Sequence, residues 1–211
     1  LLFNFTVILF LIFLNKIKIY KLFFIFFYLI LLISLFSLES PYKNRLVELT
    51  LNQTNILNKD TNKFIFSKQY HEHYLSSYRM FKDNKILGIG PKNFRIKCKE
   101  KKYQISELTC STHPHNTVLQ LMSETGILGF MFYFTSYIFL WYLLIKSTIK
   151  KIYYKREFLD NIQISLIIYF IVSLWPVAPS GNFFNNWLSS IYYFPAGIIL
   201  WTFRKNKKVY F

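Results

Sequence analysis

The chain contains few residues that would interrupt an apolar segment or place a negative charge in it. Of its 211 residues, 10 are Asp or Glu, 6 are Gly, 6 are Pro and 2 are Cys. Two cysteines allow no more than one disulfide within the chain. The apolar runs are almost free of charge, which disfavours a transporter, because transporters keep titratable residues near the bilayer midplane.

Hydrophobic residues make up 53% of the chain and aromatic residues 21%, and they are clustered in blocks. This composition is too apolar and too aromatic for an ordinary soluble domain and is typical of a membrane protein. The net charge is +16, but the charges flank the apolar blocks and do not form one basic face. We therefore expect no nucleic-acid partner, and anionic lipid headgroups explain the charge better.

Five apolar segments predict an all-α membrane protein, a polytopic bundle of transmembrane helices with one large loop region. Residues 1–38 are expected to form two transmembrane helices joined by a short cytoplasmic connector, residues 39–116 the loop region, and residues 117–211 three further helices and a basic tail. The three later helices are expected over about residues 118–145, 162–177 and 187–203, with a turn at residues 179–182. The first run, residues 1–14, is shorter than the roughly 20 residues of a full span, so we expect a truncated helix. A cleaved signal peptide is the rival, but no basic segment precedes the run and no small-residue cleavage site follows it.

Three short basic segments orient the predicted bundle. Residues 16–21, 146–156 and 204–208 fall on one side of the membrane under an alternating topology. The positive-inside rule assigns that side to the cytoplasm. The region 39–116 then faces outward, although it is itself basic.

A helical repeat of aromatic residues lies within the outward region. The spacing predicts a helix over residues 67–81, with Ser67 as N-cap and a stop at Asn84; the repeat consists of Tyr70, Tyr74, Tyr78 and Phe81. Two placements remain open. The helix either lies along the membrane surface with its aromatic stripe in the headgroup layer, or packs on its neighbours as in a soluble protein.

Two motifs carry the candidate chemistry. In the first, Gly88, Gly90 and Pro91 fix a tight turn beside Lys92 and Arg95. The turn either exposes backbone N–H groups to an anion or is purely structural, with solvated charges. In the second motif, His113-Pro114-His115-Asn116, titratable groups lie where a polar loop meets an apolar helix that is predicted to begin near Val118.

Together with Leu119-Gln120 and Glu124-x-Gly126-x-x-Gly129, these motifs resemble the signature of the bacterial O-antigen ligase and polymerase family, over about residues 70–145. The resemblance implies a multi-pass glycosyltransferase of the bacterial inner membrane, with its large loop in the periplasm. Such an enzyme moves a glycan from undecaprenyl diphosphate to lipid A–core in lipopolysaccharide biosynthesis. It implies neither metal nor cofactor, because the lipid diphosphate is itself the leaving group.

The resemblance also suggests roles for individual residues. His115 is the first candidate for a general base or for the group that orients the acceptor hydroxyl, and His113 is the second, with a capping or turn role as the alternative. Family members carry an arginine near Tyr70, which this chain lacks. The candidates for binding the diphosphate are therefore Arg95, Lys92, Arg79, His71 and His73. Structural roles are expected for Gly88, Gly90, Pro91, Asn116 and Glu124.

Cys98 and Cys110 both lie in the outward region. An oxidising periplasm permits a disulfide between them, which would hold Arg95 relative to the histidines; two free thiols are the alternative. The four histidines could also bind zinc, with Glu72 or Glu107 as a further ligand. No carboxylate has a firm ligand spacing, so we expect no metal.

Several functions share this sequence pattern. A ligase, an O-antigen polymerase and a protein O-oligosaccharyltransferase would use the same donor and differ in the acceptor. A transporter or flippase fragment is the non-enzymatic alternative. The clustering of histidines at the outer boundary favours chemistry on a lipid-linked substrate.

Overall fold

The computed structural model describes residues 2–13, 18–37 and 66–205, and these ranges contain helices and no strands. This confirms the all-helical class for the described part of the chain. The predicted outward region before residue 66 and the end of the basic tail lie outside the described residues. The helices are α1 Leu2–Phe13, α2 Lys18–Ser37, α3 Lys68–Asp83, α4 Phe94–Lys97, α5 Thr117–Tyr154, α6 Asn161–Ser173 and α7 Asn186–Lys205, with a 3₁₀ turn at Glu107–Thr109.

Helix α5 is the one helix among the described residues that is long and apolar enough to cross a membrane. Its 38 residues correspond to about 57 Å, well beyond an apolar bilayer core of about 30 Å. The helix is broken at Gly126, where φ is 66° and ψ is −160°. The remaining helices of the predicted transmembrane bundle stay a prediction.

The sequence misjudged several helix ends. Helix α5 was expected to stop at residue 145, but it continues through the basic segment to Tyr154, because lysines are good helix formers. Lys155 ends it with a left-handed backbone. Helix α6 was expected to reach residue 177 but ends at Ser173, since Pro176 disfavours a helical conformation in the residue before it. Helix α2 begins at Lys18, inside the predicted connector.

Helix α6 lies at the centre of the apolar core. It packs against α1, α5 and α7. The buried side chains of this core are Leu9, Leu143, Leu144, Leu159, Ile164, Ile167, Ile168 and Ile171.

Helix α3 forms as predicted and packs along α5. The Ser67 hydroxyl accepts a hydrogen bond from the N–H of Tyr70, and Asn84 ends the helix. The buried face is not the aromatic stripe, because Tyr78 is exposed. It is a mostly polar face made of Glu72, His73, Ser76, Ser77 and Met80. The burial of this face supports the second predicted placement, in which the helix packs on its neighbours as in a soluble protein.

A second, smaller core supports the loop between α3 and α5. It contains Met80, Phe94, Cys98 and Tyr103. The Tyr103 hydroxyl donates to Asp83 Oδ2 at 3.0 Å, and Lys102 lies 3.5 Å from the same oxygen. The loop is thereby fixed to the end of α3.

Candidate functional site

The turn at residues 88–91 is hydrogen-bonded to the break in α5. The N–H of Ile89 donates to Ser123 O at 2.8 Å, and the N–H of Gly90 donates to Glu124 O at 2.9 Å. These carbonyls precede the break at Gly126, where helical partners are lost. These N–H groups of the turn are therefore already hydrogen-bonded within the protein. This supports the interpretation of the turn as purely structural over that of an anion site.

Asn116 joins the second motif to the end of α6. Its Oδ1 accepts from the N–H of Leu119 at 3.0 Å and so caps α5. Its Nδ2 donates to Pro176 O at 2.8 Å. The N–H of Ser180 also donates to His115 O at 2.9 Å. The histidine segment is thus held between α5 and the 174–185 connection.

Left-handed backbone occurs at two of the candidate site residues. Among the described residues, the non-glycine residues with positive φ are Lys92 at 63°, His115 at 56° and Lys155 at 51°. Lys155 is the C-cap of α5, an ordinary place for this conformation. Lys92 is the third residue of a local turn that is closed by a hydrogen bond from the N–H of Asn93 to Gly90 O at 3.3 Å, and this position of a type II turn requires a positive φ. At His115 the conformation occurs where the N–H of Ser180 donates to the His115 carbonyl, and such backbone is found at many functional sites.

His113 is held in one tautomer. Its side chain is buried, with 7% exposure, and its Nε2 lies 3.1 Å from Ser180 O. A carbonyl oxygen only accepts, so Nε2 carries the proton and Nδ1 accepts from the Thr112 hydroxyl at 2.9 Å. Burial lowers the pKa of His113, so the ring is neutral near pH 7.

His115 stacks within a group of rings behind His113. Its ring centroid lies 4.1 Å from that of His113, 5.4 Å from that of His73 and 5.3 Å from that of Tyr70. Its Nε2 lies 3.0 Å from Ser111 Oγ. Burial, with smaller effects from His113 and His73, lowers the pKa of His115 to about 4. A base this weak suits orienting a hydroxyl better than removing its proton near pH 7.

His73 belongs to this ring group. It is completely buried, and among the described residues no group lies within good hydrogen-bonding geometry of either ring nitrogen. Burial lowers its pKa, and the smaller opposing effects come from the Leu108 backbone and the Glu72 carboxylate. Glu72 is itself buried and accepts from Ser106 Oγ at 2.5 Å and from Thr109 Oγ1 at 3.2 Å.

A basic cavity of about 610 Å³ opens beside His113. Lys92 and Arg95 supply its positive charge. We call it the basic cavity; it is lined by Lys92, Arg95, Thr112, His113, Gly181, Asn182, Asn185, Asn186, Trp187 and Leu188. Three other diphosphate candidates, His71, His73 and Arg79, lie on α3 and are not among its lining residues.

The wall formed by residues 181–188 is the part of the site that the sequence missed. Three asparagines and Trp187, which is 85% exposed, line the cavity together with Lys92 and Arg95. The sequence predicts a turn at the start of this segment and marks none of its residues as a candidate for the site. Three asparagines within five positions of a short connection were the available signal.

An apolar cavity of about 480 Å³ lies between α5, α6 and α7. Phe183 lines the apolar cavity, and the preceding residue, Asn182, lines the basic one. The other residues of the apolar cavity include Phe132, Phe139, Phe170, Tyr192 and Leu200. The basic cavity and the apolar cavity therefore meet at two neighbouring residues, each of which lines one of them.

The structure joins Cys98 and Cys110 in a disulfide, with Cα atoms 5.3 Å apart. Cys98 directly follows α4, which carries Arg95, and Cys110 precedes the histidine motif. The bond therefore ties the two halves of the site together. Among the described residues, no group of three or more His, Cys, Asp or Glu has an arrangement that could hold a metal ion, so the zinc alternative gains no support.

Comparison with protein families matches residues 1–134 to the family described as O-antigen ligase. The matched residues include both motifs, all of α3 and the break in α5. A comparison with curated proteins finds no match.

Proposed function

This chain belongs to the O-antigen ligase family of membrane glycan enzymes, and we propose that it transfers a glycan from undecaprenyl diphosphate to lipid A–core. The observation that carries this proposal is the basic cavity, in which Lys92 and Arg95 lie with His113. A diphosphate needs cationic partners, and an arginine offers it a planar pair of N–H donors.

The two cavities match the two parts of such a donor. The diphosphate would lie beside Lys92 and Arg95, and the polyprenyl chain would enter the apolar cavity past Phe183. The asparagines and Trp187 would contact the sugar, because amides and an aromatic face suit hydroxyl-bearing rings with one apolar side.

The reaction that we propose is a displacement at the anomeric carbon. The acceptor hydroxyl forms the new glycosidic C–O bond as the bond to the diphosphate oxygen breaks. Undecaprenyl diphosphate leaves with the bonding electron pair, and its charge is stabilised by Lys92 and Arg95 in place of a metal ion. The hydroxyl proton passes to a neutral histidine.

The two histidines take different parts in this scheme. His113 lines the basic cavity, and its Nδ1 is reached through the Thr112 hydroxyl, which also lines the cavity. We therefore assign proton transfer to His113. His115, ranked first by sequence, does not line the basic cavity and supports His113 by direct ring contact.

The proposed location is the bacterial inner membrane, in several passes, with residues 39–116 in the periplasm. The length and composition of α5 support a membrane span. The basic cavity lies around the N-terminus of α5 and would then face the periplasm, where both lipid-linked substrates are presented. Polymerase and protein O-oligosaccharyltransferase activities share this donor and differ in the acceptor.

Gene deletion in the host tests the proposal, with complementation by the wild type, His113→Ala and His115→Ala at matched protein level. A ligase deletion removes all long lipopolysaccharide bands and accumulates carrier-linked glycan, and both variants should fail to restore the bands. A single repeat left on the core identifies a polymerase, and loss of protein glycosylation alone identifies an oligosaccharyltransferase. Unchanged glycans in all fractions would overturn the proposal.

A further inference from the structure

We infer that Gln120 is a positioning residue that holds the two walls of the basic cavity at a fixed separation and thereby sets the affinity for a lipid diphosphate; this inference rests on the proposed function. Gln120 does not line the cavity. It acts through a hydrogen-bonded chain, Glu124–Gln120–Asn182, in which Glu124 and Gln120 are completely buried and Asn182 is half-buried.

The orientation of the Gln120 amide follows from its neighbours. Its side chain is completely buried, and the N–H of Phe183 donates to its Oε1 at 3.0 Å. A backbone N–H only donates, so the atom facing Phe183 is the oxygen. The two N–H donors of Nε2 are then directed to Glu124 Oε2 at 3.0 Å and Asn182 Oδ1 at 2.8 Å.

Glu124 carries the chain to the cationic wall. Its side chain is completely buried, and its Oε1 accepts from the N–H of Phe94 at 3.0 Å. Phe94 is the first residue of α4, and Arg95 is the second. The carboxylate therefore fixes the start of the segment from which the guanidinium group projects.

Asn182 carries the chain to the opposite wall. Its Oδ1 accepts from Gln120 and from the N–H of Phe184 at 3.0 Å. Asn182 itself lines the basic cavity, and Phe183, held by Gln120 Oε1, lines the apolar one. A change at Gln120 therefore reaches both cavities without touching a ligand.

The burial of this chain argues for a geometric role. Buried polar groups stabilise a fold only when all of them have partners, and apolar side chains of similar size often serve stability equally well. A satisfied polar chain adds directional constraint, because each hydrogen bond fixes a distance and an angle. Through Gln120 and Glu124 of α5, these hydrogen bonds connect Phe94 with Asn182, which are about ninety positions apart in the sequence.

The test uses the whole protein in lipid nanodiscs, with binding of undecaprenyl diphosphate measured by thermophoresis and glycan transfer measured by initial rates. Gln120→Leu should weaken binding and raise the KM for the donor by about tenfold, with kcat within about threefold, because the ligand groups remain but are misplaced. Gln120→Glu should weaken binding further, because it places a second carboxylate beside that of Glu124.

The double variant Gln120→Glu with Glu124→Gln separates the effect of charge from that of geometry. It keeps one amide and one carboxylate on α5, and both still accept from the N–H groups of Phe94 and Phe183. It leaves Asn182 Oδ1 without the donor that Gln120 supplies, so it should bind better than Gln120→Glu and more weakly than the wild type. Binding equal to that of the wild type would contradict the proposed chain.

Gln163→Leu is the matched control. Gln163 is also completely buried, but it lies at the first turn of α6, where its side chain accepts from the N–H of Asp160. The end of α6 that faces the site is the other one, near Pro176. Gln163→Leu makes the same chemical change at a buried glutamine outside the site, and it should leave diphosphate binding unchanged.

The outcomes separate the two proposals. Wild-type protein that binds undecaprenyl diphosphate but transfers no glycan overturns the proposed function, and the binding data still test Gln120. Equal binding by the wild type and Gln120→Leu overturns the inference alone. A wild type that does not bind the lipid diphosphate overturns both.

Discussion

Gly88 and Gly126 lie backbone against backbone, where the loop after α3 crosses the break in α5. A Cβ atom on Gly126 would overlap the carbonyl of Ile86, and one on Gly88 would overlap the backbone of Glu124. The two φ angles are +67° and +66°, which side-chain-bearing residues rarely adopt. The N–H of Ile127 donates to Lys85 O at 2.7 Å across the same contact. Two glycines in separate motifs therefore form one structural unit.

Gly126→Ala and Gly88→Ala should each destabilise the protein by about 1–3 kcal/mol or more, because the backbone strain is added to a backbone overlap. Denaturant unfolding in detergent measures the loss. Gly197→Ala in α7 is the control, since no atom of the described residues lies within 4 Å of its added Cβ. A stable Gly126→Ala protein would mean that α5 does not break there.

Arg95→Ala should weaken binding of the lipid diphosphate by about 10–100-fold, and Arg95→Lys should retain part of it, because a lysine keeps the charge and loses the planar donor pair. Titration with undecaprenyl diphosphate measures both. Lys101→Ala, an exposed change in the same loop, should bind as the wild type does. If Arg79→Ala, His71→Ala or His73→Ala removes binding and Arg95→Ala does not, the diphosphate is held on α3 instead.

Acidification should destabilise the histidine region. Burial lowers the pKa of His113, of His73 and, to about 4, of His115. The unfolded chain keeps the ordinary value of 6.5 and therefore takes up protons first as the pH falls. Stability should be level above about pH 6.5 and fall between pH 6.5 and 4. Unfolding temperatures across this range measure the effect. His115→Gln should make the decline shallower, and an unaltered decline would show that His115 does not titrate in this window.

Reduction of the Cys98–Cys110 bond should lower stability by about 3 kcal/mol, because the unfolded chain regains the entropy of a short loop. Mass spectrometry of unreduced peptides detects the bond, and unfolding with and without reductant measures its effect. The Cys98→Ser and Cys110→Ser double variant should behave as the reduced protein and no longer respond to reductant. Two alkylatable thiols in protein from oxidised membranes would contradict this prediction.

Topology reporters should read periplasmic after Lys101 and cytoplasmic after Lys150. The first position lies in the disulfide loop and the second near the basic end of α5, so the helix between them must cross the membrane. Activity of periplasmic and cytoplasmic reporter enzymes measures the sides. A cytoplasmic signal after Lys101 would separate the site from a periplasmic donor and would contradict the proposed function.

Local signals predicted where some elements begin. The Ser67 hydroxyl caps α3 as predicted, because it satisfies a free N–H group of the first helical turn. Helix α5 begins at Thr117, next to the predicted Val118, and its cap is the Asn116 amide, not His113. The ends of α5 and α6 were predicted less well. An apolar run marks the part of a helix that suits a bilayer, and α5 continues beyond it through lysines that favour helix equally.

The sequence by itself determined the family, the helical class and the residues of the two motifs, because composition and short spacings act over a few positions. Only the tertiary structure decided that His113 lines the basic cavity while His115 stacks on His73, and that residues 181–188 form the wall opposite Arg95. These relationships depend on how α5, α6 and α7 pack and on hydrogen bonds between distant segments, such as Gln120 with Asn182. Periodicity along the sequence predicts which residues share a face of a helix, but not which other segment packs against that face.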